Sequence, residues 1–268
     1  MKLAARVNTS NSIPASNATS RFSGRVQNYI RYRPGYPPEV LNALRAECGL
    51  TSRHVIADIA SGTGIWTRML LQNGNPVFGV EPNAEMREAG ERLLAEFPKF
   101  TSVAGTAEAS TLADQSVDFV TGAQAAHWFD RERSRREFAC ILKPGGWLVL
   151  MWNERLTDST PFLRDYENLL LAFGTDYQDV RHERTTEVVN EFFDPEPFQE
   201  RAFPMQQEFD FAGLEGRLLS SSYVPGPEHP KHAPMLRELR RIFDRHAVEG
   251  QVICEYKTRL YFGRLVRI

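Results

Sequence analysis

Two apolar periodicities alternate along the chain from about residue 37 onward. In "PPEVLNALRAEC", Val40, Leu41, Leu44 and Cys48 share one helical face, with proline in the first turn and Gly49 beyond the end. The run Val55 to Ile59, apolar apart from Asp58, then predicts a strand, followed by a helix from about Gly64 to Gln72. A short strand in "PVFGVE" leads to Asn83, a residue suited to cap a helix running to about Phe97. "FTSVAGTAE" and "VDFVTGA" predict two further strands, Asp130 opens another helix, and the turn "KPGG" leads into a fifth strand, "WLVLMW". Strands apolar on both faces and separated by helices predict a parallel sheet covered on both sides, with right-handed crossovers.

After Asn153 the rhythm changes. A helix beginning near Pro161 carries Phe162, Tyr166, Leu169, Leu170 and Phe173, and one near Pro234 carries Met235, Leu236, Leu239, Ile242 and Phe243. "QQEFDF" and "VICEYKTRLYFG" alternate as strands do. The expected fold is therefore α/β: a Rossmann-like, doubly wound, mostly parallel seven-stranded sheet with an antiparallel last strand. Its core spans residues 21–154, and its final strands are 206–212 and 249–268. A helical cap, 155–205 and 213–248, covers the crevice.

Length and composition narrow the partners. A chain of 268 residues accommodates one large α/β domain with an insertion. With 25% charged residues and a net charge of -2, the expected partner is a small molecule rather than nucleic acid or a membrane surface. Cys48, Cys140 and Cys254 lie far apart, which argues against a disulfide framework or a metal site and for a reducing, cytoplasmic setting. No apolar run approaches the roughly 20 residues of a membrane span, and the N-terminus lacks a signal peptide's apolar core. Residues 1–20 have the composition of a disordered tail, and the lack of acids before Glu39 also suits a transit peptide. The oligomeric state stays open.

Ligands of doubly wound sheets sit beyond the carboxyl ends of the strands, so the loops after Ile59, Val80, Val103, Val120 and Met151 should converge. In "HVIADIASGTGIWTRMLL" a glycine-containing turn lets a ligand approach the backbone, and the helix N-terminus behind it attracts negative charge. A phosphate-binding P-loop would need a lysine that "ASGTGIWT" lacks. In a dinucleotide fingerprint starting at Gly62, Thr67 would fall where a small residue is wanted. Asp58, directly before the turn, is unfavourable beside a pyrophosphate and suited to a ligand with a cationic end. Glu81, ending the second strand, suits the two ribose hydroxyls of any adenosine ligand.

With these residues the chain resembles the class I S-adenosylmethionine-dependent methyltransferases. "VIADIASGTG" is similar to their first motif, "VFGVEPNAEM" to the second, "GTAEASTLADQSVDFVTGAQAAHWFD" to the third and fourth, and "ILKPGGWLVLMWN" to the strand-five motif. Together with "YRPGYP", this combination resembles a small-molecule branch that includes trans-aconitate methyltransferase. The likeness is close over about residues 22–154 and looser beyond.

The resemblance implies S-adenosylmethionine as cofactor, S-adenosylhomocysteine as product and a small-molecule methyl acceptor. By position, Asp58, Ala60, Gly62 and Gly64 would line the methionine part and Glu81 would hold the ribose. Pro82 and Met86 would pack on the adenine, Thr106, Ala107 and Glu108 would run along its edge, and Gln124 would lie under the sulfonium. "NYIRYRPGYP" would fold over the cofactor, with Tyr32 and Arg33 toward its carboxylate and Tyr29 toward the substrate, although its tyrosines would also suit a covered sheet edge. Ala60 departs from the family's usual glycine, and its methyl is tolerated if φ stays negative.

Methyl transfer from a sulfonium is an in-line displacement, so alignment and exclusion of water matter most, and a base is needed only for an acceptor that is not already ionised. His127 is the candidate to orient or deprotonate the substrate, with a structural hydrogen bond as its alternative role. Trp128 would shape the pocket and Asn153 offer a polar contact. The charge run "DRERSRREF" reads as a solvated helix face, His54 as structural, and His182 and Tyr223 as cap residues that could also meet the substrate. Two other functions compete: a catalytically silent S-adenosylmethionine-binding protein, and a nicotinamide-dependent oxidoreductase, against which the missing third glycine, Asp58 and the downstream motifs weigh.

Overall fold

The computed structural model describes residues 25–178 and 185–265. The expected tail, residues 1–20, and His182 lie outside them. Helices α1 (Val26–Tyr32) and α2 (Glu39–Cys48) precede β1 (Ile56–Ile59), α3 (Ile65–Gln72), β2 (Val77–Val80), α4 (Ala84–Leu93) and β3 (Phe100–Val103). Then follow β4 (Val117–Ala123), a 3-10 turn at Ala126–Trp128, α5 (Arg131–Ile141) and β5 (Leu142–Arg155). The C-terminal part contributes α6 (Pro161–Phe173), α7 (Thr185–Phe193), β6 (Phe198–Phe209), α8 (Phe211–Leu219), α9 (His232–His246) and β7 (Val252–Arg264).

The seven strands form one sheet in the order β3-β2-β1-β4-β5-β7-β6. The first five run parallel, and β7 lies antiparallel between β5 and β6. Strand β1 is buried at all four positions, as a central strand of a two-sided sheet must be. Its side chains alternate: Ala57 and Ile59 join Val120, Phe138 and Trp152 in one layer, while Ile56 joins Leu44, Trp66, Leu70 and Phe119 in the other. Asp58 therefore points into the layer under α3. The switch from β1 to β4 opens the crevice at the carboxyl ends of both strands.

Three expectations change. The "KPGG" turn is absorbed into β5 as an irregularity: Val117 faces Leu142 but Phe119 already faces Trp147, with Gly145 at φ 77 turning the excess residues out of the ladder. Strand β6 begins at Phe198, well before the expected 206, and ends at 209 because Asp210 caps α8 by accepting from the Gly213 N–H at 2.7 Å. Pro204 hides this strand in the sequence, yet an edge strand tolerates a residue without an N–H. Within the expected cap segment, α7 instead covers the sheet: Val188, Val189, Phe192 and Phe193 share a core layer with Phe138 and Trp152. Helices α6, α8 and α9 form the separate apolar cluster above the crevice.

Among the described residues no helix is long and apolar enough to cross a membrane, and no group of His, Cys, Asp and Glu is arranged to hold a metal.

Candidate functional site

A cavity of about 450 Å³ lies beyond the ends of β1, β4 and β5, with α1 and the following "RPGY" segment on one side and the α8 region above. The turn after β1 forms its floor. Gly64, at φ 85, starts α3, and a Cβ there would come within 2.6 Å of Leu94. Gly62 takes φ 59, likewise a glycine conformation. Ala60 takes φ 55, so the expected negative φ is not what the turn adopts. An L-residue there holds a left-handed backbone at a cost of about 1–2 kcal/mol. Gln124, after β4, does the same at φ 60, so two of the five left-handed non-glycine residues among those described border the cavity.

Asp58 is 1% exposed. Its carboxylate accepts from the Thr67 hydroxyl at 2.5 Å and from the Thr121 hydroxyl at 3.1 Å. The Trp66 indole N–H donates to the same Thr121 oxygen at 3.2 Å, which orients the hydroxyl. Burial pushes the Asp58 carboxyl up to about 7, against the hydrogen bonds that favour its ionised form. Glu81 bridges two backbone segments, accepting from the Gly62 N–H at 2.9 Å and the Asn83 N–H at 2.8 Å. Burial raises its pKa as well. Thr63 leaves its hydroxyl buried and without a partner at the cavity wall.

At the ends of β4 and β5, the Trp152 indole N–H faces His127 Nδ1 at 3.4 Å. An indole nitrogen only donates, so Nδ1 is the acceptor and the neutral ring carries its hydrogen on Nε2. This contact orients the His127 ring at the end of β4. The expected polar contact at Asn153 is already committed: its amide N–H donates to the Gly35 carbonyl at 2.8 Å and its oxygen accepts from Thr258 at 2.6 Å. It ties the "RPGY" segment to β5 and β7.

The α1 segment is fastened to the end of α8. Arg25 donates to the carbonyls of Leu219 (3.1 Å), Ser221 (2.6 Å) and Val224 (2.9 Å), and Arg33 to that of Ser220 (3.0 Å). A helix C-terminus offers unpaired carbonyls and negative potential, which attract such cations. Arg33 lines the cavity with its Nε buried and unpartnered, its guanidinium 5.0 Å from the Tyr29 ring centroid. Burial and the neighbouring Arg217 lower its pKa.

Tyr29, Arg33, Asp58, Ala60, Gln124, His127, Trp128 and Asn153 line this cavity, as does Tyr223, while the other residues expected at the cofactor do not. Tyr32 turns into the cap, its ring so close to Gly216 that a Cβ there would lie 2.0 Å away. Met86 is covered by Val26, Tyr29 and Ile30 of α1, and Gly62, Gly64, Glu81, Pro82 and Met86 lie outside the cavity lining. Ala107 belongs to the sheet core, Thr106 accepts from the Ala109 N–H in its own turn, and Glu108 accepts from the Asp130 N–H at the start of α5.

Sequence reading missed Arg217, Arg155 and Tyr256 on the cavity wall. Arg217 had a signal: it falls on the face that buries Leu214 and Leu218, where a charge is out of place.

Comparison with known proteins agrees with this architecture. Residues 57–150 match the family model described as a methyltransferase domain. An uncharacterized methyltransferase of Mycobacterium tuberculosis is 37% identical over 177 residues, 66% of this chain and 65% of that protein. A probable S-adenosylmethionine-dependent methyltransferase of Saccharomyces cerevisiae is 30% identical over 124 residues, 44% of this chain and 42% of its own. The matches thus span less than two thirds of these curated relatives. The solved structure of a putative type II methyltransferase from Anaeromyxobacter dehalogenans shares the fold, with TM-score 0.65 and 21% identity over 87% of this chain and 98% of that one. Residues 57–150 thus carry a methyltransferase domain, and the chain is similar over a longer stretch to proteins named as methyltransferases.

Proposed function

We propose that this protein binds S-adenosylmethionine and transfers its methyl group to a small-molecule acceptor. One observation carries the reading: the same cavity is lined by a buried acid, Asp58, and by a guanidinium, Arg33, whose buried Nε lacks a partner. This polarity matches a ligand that bears both an ammonium and a carboxylate. The orphaned Thr63 hydroxyl and the N-terminus of α3 add donors on the same wall. Glu81 would take the ribose, with Met86 on the adenine, on the flank that α1 covers.

The cofactor supplies an electrophilic methyl on a sulfonium. The chain's part is to align and to exclude water. Asp58 would hold the cationic end and Arg33 the carboxylate. His127 donates from Nε2 and would orient an acceptor oxygen, while the buried Trp152 fixes that tautomer. The packed α6, α8 and α9 cluster would help to cover a bound acceptor.

Calorimetry tests the cofactor reading. S-adenosylhomocysteine should bind and NAD should not, and binding of NAD alone would sink the proposal. Transfer of labelled methyl to carboxylates, phenols, amines and thiols then tests the activity.

A further inference from the structure

The charges around the cavity do not cancel. Arg155 is paired with Glu167, and Arg259 with Glu154 at 2.6 Å and Glu200 at 2.5 Å. Arg33 and Arg217 have no such partner among the described residues. Arg217, 8% exposed, hydrogen-bonds only neutral oxygens, the Tyr256 hydroxyl at 3.3 Å and the Ser221 hydroxyl at 3.1 Å. A buried guanidinium without a counter-charge is costly, and two beside one another more so. Their joint field shows at Tyr223: burial works to raise its pKa, but Arg217 and Arg33 outweigh it and leave the hydroxyl below its ordinary 10. Asp58, the acid in the cavity lining without an ion-pair partner among the described residues, is engaged by two threonine hydroxyls.

The proposed cofactor brings a single carboxylate, which Arg33 would take. That leaves Arg217. Resting on the cofactor reading above, we infer that the methyl acceptor carries an anionic group, a carboxylate or a phosphate, held in this cavity by Arg217 with Tyr223 beside it. A guanidinium offers parallel N–H donors matched to either oxyanion, and a surround of tyrosine hydroxyls and backbone leaves that charge for the ligand. Arg217 would then select acidic acceptors without touching the transferred methyl.

The test is calorimetry on the full chain saturated with S-adenosylhomocysteine, titrated with succinate, inorganic phosphate and the neutral succinamide up to roughly 50 mM, well past the affinity of a weak charged contact. Succinate or phosphate should bind saturably and succinamide should not. Succinate alone identifies a carboxylic-acid site, phosphate alone a phosphate-monoester site. Arg217→Gln should weaken the bound anion by about tenfold or more while S-adenosylhomocysteine affinity holds. If glutamine unfolds the cap, Arg217→Lys, which keeps the charge but loses the fork, and Tyr223→Phe should each weaken it by a few-fold. Anion binding unchanged in these variants overturns the inference, as does no saturable binding of either anion to protein that binds S-adenosylhomocysteine. Should S-adenosylhomocysteine itself not bind, the cofactor reading fails alone, and the same titrations on the free protein decide the Arg217 site.

Discussion

The Asp58 carboxylate and the Thr67 hydroxyl form a 2.5 Å hydrogen bond between the last turn of β1 and the first turn of α3, in the layer from which water is excluded. Burial outweighs this bond and holds the carboxyl at about 7. Its folded-state pKa is thus above its ordinary 3.8, so the folded chain keeps a proton that the unfolded chain releases. This contribution to stability is full below pH 3.8 and is lost as pH rises through about 7.

A cationic ligand needs the opposite protonation state. Affinity for S-adenosylhomocysteine, whose ammonium faces Asp58 in the proposed pose, should increase as pH rises through about 7, with proton release on binding below that point. Calorimetry in buffers of different ionisation enthalpy reads both. Asp58→Asn should flatten the profile and lower affinity. An unchanged slope in that variant would exclude Asp58 as the titrating group.

Glu81 is a tie before it is a ligand. Its two oxygens each hold one backbone N–H, from Gly62 and Asn83. Glu81→Ala should therefore cost about 1–3 kcal/mol of stability from the stranded amides, seen as a lower denaturation midpoint. It should also weaken S-adenosylhomocysteine by about 1.5–3 kcal/mol. Full affinity in the alanine variant would remove Glu81 from the ribose site.

Arg25 reaches three carbonyls at the end of α8 and so anchors the helix that covers Met86. Arg25→Ala should destabilise the α1 contact by about 1.5–3 kcal/mol. Hydrogen exchange is the measurement: amides of α1 should lose protection, those of β1 and β4 should not. Equal protection in both proteins would show that apolar packing alone seats α1.

Ala60 at φ 55 carries strain that glycine would not. Ala60→Gly should raise stability by about 0.5–1 kcal/mol, the relief exceeding the entropy that glycine adds to the unfolded chain. A lower thermal midpoint in that variant would mean that the methyl contributes packing worth more than the strain.

The sheet was legible because its central strands are apolar on both faces and punctuated by caps such as Asn83 and Asp130, whose signals are local. The acid at Asp58 and the glycine turn were legible for the same reason. What escaped depends on distant partners. Pro204 breaks a strand pattern unless its edge position is known, and α7 carries an apolar face that could serve a cap or a sheet equally. The backbone sign at Ala60 is set by the turn around it, not by alanine. Asn153 and Glu108 are polar residues near the crevice whose bonds are spent on Gly35, Thr258 and Asp130, which no local rule reveals.

The four carbonyls that Arg25 and Arg33 grip make α1 and the end of α8 a single mechanical part. Anyone recombining this protein with a relative to change its acceptor would have to exchange residues 25–36 together with 211–224. A crossover placed between them would deliver a cap whose hinge partner belongs to another protein.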